Sequence, residues 1–204
     1  PKMEIPDLDL VTGVQHYEEE VRGSRFTVAA ASFFQVNTSQ LSRAVDEVRE
    51  LLELRGDEVM VDAYCGVGVF AVLMSPYVKR VVGIEESVSA IEDANLNLNG
   101  ATNVEFIEGK TEHVMADWQD EDSVDVLLLD PPRVGCHPDV LESVKKLQPK
   151  KVLMISCEPA AMARDLDLLC DGGMYQLDTV RPVDMFPQTR HVETISVLSF
   201  QGIQ

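Results

Sequence analysis

Short apolar runs alternate with stretches of helical periodicity through most of the chain. Turn-forming residues such as glycine, asparagine and proline bound each run, which is typical of strands. Strands that alternate with helices predict a mostly parallel sheet with helices on both faces. No helical pattern separates the last two runs, so we expect an antiparallel pair at one edge of the sheet. The predicted strands are residues 59–63, 80–84, 104–107, 124–129, 151–155, 175–180 and 194–200.

The segment before this alternation has a different pattern. "VQHYEEEV" and "SRFTVAAASFF" flank the turn residues Arg22, Gly23 and Ser24, which predicts a β-hairpin within residues 11–37. Thr38 is predicted to cap a helix, because apolar residues recur on one helical face after it. We therefore expect an N-terminal extension over residues 1–37 and a main domain over residues 38–204.

Composition narrows the class of protein. Of the 204 residues, 45% are apolar and 25% are charged, which is normal for a globular protein with a full hydrophobic core. No apolar run reaches the roughly 18 residues of a membrane span, and the first residues do not form a signal peptide. The 4 cysteines lack CxxC spacing and the 4 histidines are scattered. We therefore expect reduced thiols, no metal site and a cytoplasmic protein.

The formal net charge of −18 bears on possible partners. Affinity for a polyanion comes from lysine and arginine, so this charge argues against unaided binding to nucleic acid. A nucleic-acid substrate would require a local basic patch, a further domain or a high-salt habitat. The abrupt start of the chain leads us to expect a fragment of a longer protein.

Polar residues follow the first two predicted strands, and ligands of open α/β sheets bind beyond the carboxyl ends of strands. Residues 66–71 fit the pattern G-x-G-x-x-A, in which Gly66 and Gly68 allow a tight turn and a close backbone approach to a ligand. Glu85 ends the second strand, where a carboxylate can accept hydrogen bonds from both ribose hydroxyls of an adenosine. These features fit NAD enzymes and class I methyltransferases alike.

The loops after the later strands separate these two classes. Asp130 precedes two prolines that fix the shape of their loop, which NAD enzymes do not need, and Arg133 could meet a phosphate. Cys157 lies between a strand and a helix predicted from Pro159, and a helix N-terminus favours a thiolate.

A rigid Phe-Pro turn near the C-terminus precedes two further candidates. His191 and Glu193 are two positions apart in a segment that we expect to be extended, so their side chains should point the same way. Either side chain could act as a general base.

Six motifs together resemble the RNA uracil-C5 methyltransferases, a class I family that uses S-adenosylmethionine. They occur in the family's order and spacing and extend over residues 33–198. The resemblance implies a Rossmann-like α/β fold, an RNA substrate (transfer or ribosomal) and an RNA-binding barrel upstream of this chain. The motifs are "FFQVNTSQ", "DAYCGVGVF", "GIEESVSAIEDANLNLNG", "LLLDPPRVG", "ISCEPAAMARDL" and "DMFPQTRHVETISVL".

The resemblance also implies a role for each site residue. Cys157 would be the nucleophile that adds to uracil C6, and Glu193 the base that removes the C5 proton. Asp130 would be a catalytic residue close to the reacting base, and Arg133 and His191 would contact the substrate. The positions assigned to the cofactor are Gln35, Tyr64, Gly66, Gly68, Glu85 and Asp130.

Two positions depart from the family pattern. Glu158 follows the cysteine where the family usually has asparagine. A carboxylate there would raise the pKa of the thiol unless it points away or is paired. Val69 stands where many relatives carry a polar residue near the cofactor, so that contact would be lost.

Three other functions remain open. Methyl transfer to another base or to a protein side chain would use the same cofactor pocket. A NAD-dependent oxidoreductase would use the same glycine loop and Glu85. Glu158 favours a non-catalytic RNA-binding module, but such a module would not need Cys157 and Glu193.

Overall fold

A computed structural model of the protein describes residues 14–119 and 123–202. Strands β1 (His16–Val21) and β2 (Ser24–Ala29) form the expected hairpin, and residues 11–13 of that prediction lie outside the described part. Helix α1 (Thr38–Leu52) begins where predicted, but its N-cap is Asn37, whose side chain accepts a hydrogen bond from the Gln40 backbone N–H. The prediction that Thr38 is the cap is wrong by one position, because the asparagine carbonyl reaches that N–H.

Strands and helices alternate after α1, as the sequence predicts. The short helix α4 was not expected, because six residues are too few to show a helical period. The strands are β3 (Val59–Ala63), β4 (Arg80–Glu85), β5 (Val104–Glu108), β6 (Val126–Leu129), β7 (Lys151–Ser156), β8 (Tyr175–Val183) and β9 (Glu193–Phe200). The helices are α2 (Val69–Met74), α3 (Val88–Leu96), α4 (Thr111–Ala116), α5 (Pro138–Leu147) and α6 (Pro159–Cys170).

The main sheet of the described residues has seven strands in the order β5-β4-β3-β6-β7-β9-β8. Strands β3 to β7 pair in parallel, whereas β9 runs antiparallel to both β7 and β8. The predicted mostly parallel sheet with an antiparallel pair at one edge is confirmed. The edge strand β8 continues through Pro182 to Val183, beyond its predicted end, since an edge position tolerates a residue without a backbone N–H.

The hairpin packs against the main sheet domain. Val21, Phe26 and Val28 are fully buried in the same apolar cluster as one face of α1 and of the sheet. Two side chains of the α3 region bind the hairpin backbone. Asn97 Oδ1 accepts a hydrogen bond from Thr27 N at 2.7 Å, and Asp93 Oδ2 accepts one from Ala29 N at 2.8 Å. These hydrogen bonds fix the end of β2, from which residues 30–37 continue.

The four cysteines are free thiols. Across the described ranges, no group of histidine, cysteine, aspartate and glutamate side chains has the arrangement of a metal site. No helix in that part of the chain is long and apolar enough to cross a bilayer.

Candidate active site

Strand order brings the predicted catalytic residues to one edge of the sheet. Leu129 pairs with Met154 and Ser156 pairs with Thr194, so the residues just beyond these pairs share the carboxyl edge of β6 and β7. Because β9 is antiparallel to β7, its first residue lies beside the last residues of β7. Asp130, Cys157 and Glu193 therefore meet, although they come from distant parts of the chain.

The loop after β3 has the backbone conformation that a ligand-binding turn requires. Tyr64, Gly66 and Gly68 have φ angles of 65°, 53° and 82°, and a positive φ is unusual for a tyrosine. A Cβ on Gly68 would lie 2.7 Å from the ring of Phe106, whereas one on Gly66 would have no neighbour within 4 Å. Gly68 thus serves close packing, and Gly66 leaves open space above the loop.

Glu85 holds the glycine loop from the neighbouring strand. Its Oε2 accepts a hydrogen bond from Gly66 N at 3.0 Å, and its Oε1 accepts one from Ser87 N at 2.9 Å. A carboxylate has about four acceptor positions, so both oxygens keep capacity for the hydroxyls of a ligand. The structure therefore places Glu85 beside the loop, as predicted.

Two buried oxygens, one at a predicted cofactor position and one in β3, have no hydrogen-bond partner among the described residues. They are Oε1 of Gln35 and Oδ1 of Asp62. The other oxygen of Asp62 accepts a hydrogen bond from Ala71 N at 2.8 Å, and burial raises the pKa of this carboxyl to about 7. Buried acceptors are normally satisfied, so these two fit a ligand that carries donor groups. The sequence analysis missed Asp62, although an acid inside the apolar run of β3 is a signal.

Asp130 and Glu193, two of the three residues that meet at this edge, have raised pKa values. Burial raises the pKa of Asp130 well above its usual range, helped by the charges of Glu193 and Asp62. Burial also raises the pKa of Glu193 to about 7. Neither shift comes from a cation. The site therefore contains carboxyl groups that can hold protons near neutral pH.

The thiol of Cys157 is also harder to ionise than an ordinary cysteine. Burial raises its pKa first and the charge of Glu193 second, while a hydrogen bond from Arg133 opposes them. Burial and the carboxyls of Glu193 and Asp130 thus act against the thiolate that the α6 N-terminus was expected to favour, and a favoured thiolate stays a prediction. Glu158 is not among the groups that raise this pKa. It is the N-cap residue of α6, and its backbone N–H donates to Ser156 Oγ at 3.1 Å.

The remaining predicted site residues lie at the rim. Arg133 is exposed and lies close enough to Cys157 to lower the pKa of its thiol, and a phosphate contact for Arg133 stays a prediction. His191 lies before β9 begins, with its ring 6.2 Å from the ring of Phe186. Tyr64 is half-buried, and burial raises the pKa of its phenol, an effect that the nearby backbone of His137 opposes.

Comparisons with known proteins identify the family of this chain. A model of the tRNA (uracil-5-)-methyltransferase family matches residues 14–200. The chain belongs to this family. Family membership leaves the NAD-dependent alternative without support.

Two relatives show how much of a family member this chain represents. An uncharacterised RNA methyltransferase from Listeria innocua is 42% identical over 187 residues, which are 90% of this chain and 41% of that protein. Another from Thermosynechococcus vestitus is 40% identical over 195 residues, which are 95% of this chain and 43% of that protein. This chain therefore spans less than half the length of these relatives.

A solved structure supports the fold. The tRNA (uracil-54, C5)-methyltransferase of Pyrococcus abyssi, in complex with S-adenosyl-L-homocysteine, is similar with a TM-score of 0.77 and 29% identity. The similarity covers 92% of this chain and 45% of that one. A Rossmann-like methyltransferase fold is confirmed for the family member described here.

Proposed function

We propose that this chain is the catalytic domain of an enzyme that methylates C5 of a uridine in RNA with S-adenosylmethionine. The observation that carries the proposal is the convergence of Cys157, Glu193 and Asp130 beside the glycine loop. A nucleophile and a base are what methylation of an unreactive pyrimidine carbon requires. Family membership supports the same reaction.

The cofactor would be held by the glycine loop and its neighbours. Glu85 offers acceptors for the ribose hydroxyls, and Gly66 gives open space above the loop. The unpartnered oxygens of Gln35 and Asp62 suit the donor groups of the methionine part. When bound, S-adenosylmethionine supplies an electrophilic methyl group to the uracil.

Cys157 would start the reaction by forming a covalent adduct. After the thiol loses its proton, its sulfur attacks uracil C6 and the C5–C6 π electrons move onto the C4 carbonyl oxygen. The resulting enolate gives C5 the electron density that the free base lacks. Arg133 favours the attack, because its hydrogen bond lowers the pKa of the thiol against the effect of burial.

Glu193 would complete the reaction as the general base. Its carboxylate removes the proton from C5, the electron pair reforms the C5–C6 double bond, and the bond from C6 to sulfur breaks. A pKa of about 7 suits this role, since a base works best near the operating pH. Burial favours the protonated form of Asp130, which would donate a hydrogen bond to a carbonyl oxygen of the uracil.

RNA affinity would reside largely outside the 204 residues. Their net charge of −18 disfavours contact with phosphates, and the target base must also leave its stack to reach Cys157. We therefore propose that a domain beyond this chain, such as the family's RNA-binding barrel, supplies most of the binding. Equal RNA affinities of this chain and of the full-length protein would contradict this.

The deciding experiment mixes the protein, S-adenosylmethionine and RNA that contains 5-fluorouridine, and measures the intact mass. Fluorine cannot leave as a proton, so a methylated RNA adduct should stay on the enzyme. The adduct should be absent in Cys157→Ala. Lack of an adduct with the full-length protein would overturn the proposal and favour a different target atom, which release of tritium from C5-labelled uridine would test independently.

A further inference from the structure

Helix α6 reaches back to the loop that follows β6. The carboxylate of Asp165 is fully buried, and its Oδ2 accepts a hydrogen bond from the backbone N–H of Cys136 at 2.8 Å. The guanidinium of Arg164 donates to the carbonyl oxygen of Val134 at 2.9 Å. It also donates from Nε to Asp165 Oδ1 at 2.9 Å. Two adjacent side chains of one helix therefore hold the loop backbone on both sides of Gly135, at the Val134 carbonyl and the Cys136 N–H.

The residue between these two backbone contacts is adapted to them. Gly135 has a φ of 87°, which favours glycine. A Cβ at this position would lie 2.5 Å from Oδ2 of Asp165 and closer still to the guanidinium of Arg164. The absence of a side chain lets the loop approach α6 closely enough for both hydrogen bonds.

The same loop carries Arg133, and the same helix begins just after Cys157. Arg133 is exposed, and its guanidinium lies close enough to the Cys157 thiol to lower the thiol pKa against the effect of burial. A long exposed side chain loses rotamer freedom when it is held in one place, so its contact depends on a fixed backbone. The α6 contacts fix the residues immediately after Arg133 relative to the helix that follows the nucleophile.

We propose that Asp165 and Arg164 are positioning residues that keep the loop of Arg133 against Cys157. They touch neither substrate nor cofactor and act through Arg133. The importance of this arrangement for methyl transfer rests on the proposed function, but the arrangement itself does not. The arrangement predicts the pH dependence of Cys157 alkylation, which can be measured without RNA or S-adenosylmethionine.

The test measures alkylation of Cys157 by iodoacetamide across the alkaline range, with mass spectrometry of the peptide that contains it. The groups that face this thiol are Glu193 from β9 and Asp130 and Arg133 from the β6 loop. Arg133→Met should move the midpoint of the profile upward by about one pH unit, since a nearby opposite charge has an effect of this size. Asp165→Asn should move it in the same direction.

Arg164→Met is the variant that separates positioning from folding. Its side chain is 53% exposed, and its replacement removes the bond to Val134 together with the ion pair to Asp165, while Asp165 keeps its bond from Cys136 N. Arg181→Met is the matched control, because Arg181 is 42% exposed and pairs with Glu47 on the far side of the sheet. Arg164→Met should raise the midpoint and Arg181→Met should not.

Combining Arg133→Met with Asp165→Asn should produce no further rise, since both changes remove one contact with the thiol. Additive shifts, unchanged midpoints in Asp165→Asn and Arg164→Met, or an equal shift in Arg181→Met would each overturn the inference. The 5-fluorouridine experiment remains the separate test of the proposed function, because failure to methylate would leave the alkylation profiles unaffected.

Discussion

The pKa values of acidic residues shift in opposite directions at the two ends of the central sheet. At the amino end, Asp125 contacts Lys150 at 2.7 Å and accepts a hydrogen bond from Val59 N at 2.9 Å, and its pKa is lowered by these partners despite its burial. At the carboxyl end, burial raises the pKa values of Asp62 and Glu193 to about 7 and that of Asp130 well above its usual range.

This difference separates what stabilises the fold from what serves the reaction. An acid with a cation and a backbone donor gains by being ionised, so it favours the folded chain at neutral pH. An acid buried without a cation opposes folding at the same pH, and such groups concentrate at functional sites. Removing an acid at the carboxyl end should therefore lower activity without lowering stability, whereas removing Asp125 at the amino end should lower stability.

The largest effect is expected at the nucleophile. Cys157→Ala should reduce methyl transfer by roughly 10⁴-fold or more, because no other group can form the bond to C6. Steady-state transfer of labelled methyl groups by the full-length protein would measure this. Cys170→Ala is the control, since Cys170 ends α6 far from the β9 carboxylate and should leave the rate unchanged. A residual rate within tenfold of the parent would show that Cys157 has only a packing role.

Loss of the base should be the next largest effect. Glu193→Gln should lower kcat by about 10²–10⁴-fold, the usual contribution of a general base. In the parent enzyme kcat should rise with pH through about 7, where Glu193 loses its proton, and this rise should vanish in the variant. With ordinary uridine the variant should accumulate the covalent RNA adduct, which denaturing electrophoresis would detect. An unchanged pH profile would assign the base role to another residue.

Opposite changes of stability at the two ends would sharpen the comparison. Burial raises the pKa of Asp62 from its ordinary 3.8 to about 7 in the folded chain, so its stabilising contribution exists at low pH and is lost as the pH rises through 7. Asp62→Asn should therefore raise the free energy of unfolding at neutral pH, by roughly 2 kcal/mol. Asp125→Asn should lower it, by up to about 1 kcal/mol, because its lysine partner is exposed. Urea unfolding at several pH values measures both, and shifts of the same sign would contradict the comparison.

The sequence predicts the strands and helices of this molecule better than the contacts between residues that are distant in the chain. The strand and loop that carry Cys157 are recognisable from an apolar run followed by a proline at a helix start. The contact between Cys157 and Glu193 depends on β9 entering the sheet between β7 and β8, and no local pattern encodes that order. The site residues could be named, but their mutual positions required the tertiary pairing of strands.

The electrostatics of the site are also difficult to predict from sequence. The helix after Cys157 suggests a lowered thiol pKa, whereas burial of the thiol and the charge of Glu193 raise it. Burial is a property of the packed chain and cannot be counted along the sequence. Glu158 illustrates the same limit, since its position next to Cys157 in the chain does not make it a group that shifts the thiol pKa.

The smallest effect is expected for Glu85→Gln, which tests cofactor binding at the carboxyl end of the sheet. Glu85→Gln keeps the shape of the side chain but removes its charge, which weakens hydrogen bonds to ribose hydroxyls and to Gly66 N. The Kd for S-adenosylmethionine should rise by about tenfold, as measured by calorimetry, because charged hydrogen bonds contribute about 1.5 kcal/mol or more. Glu86→Gln changes the exposed neighbouring acid and should leave the Kd as it was. Cys157 should keep its alkylation profile in both variants, since Glu85 is not among the groups that act on it. Equal losses of cofactor affinity in the two variants would mean that general negative charge, and not the position of Glu85, governs binding.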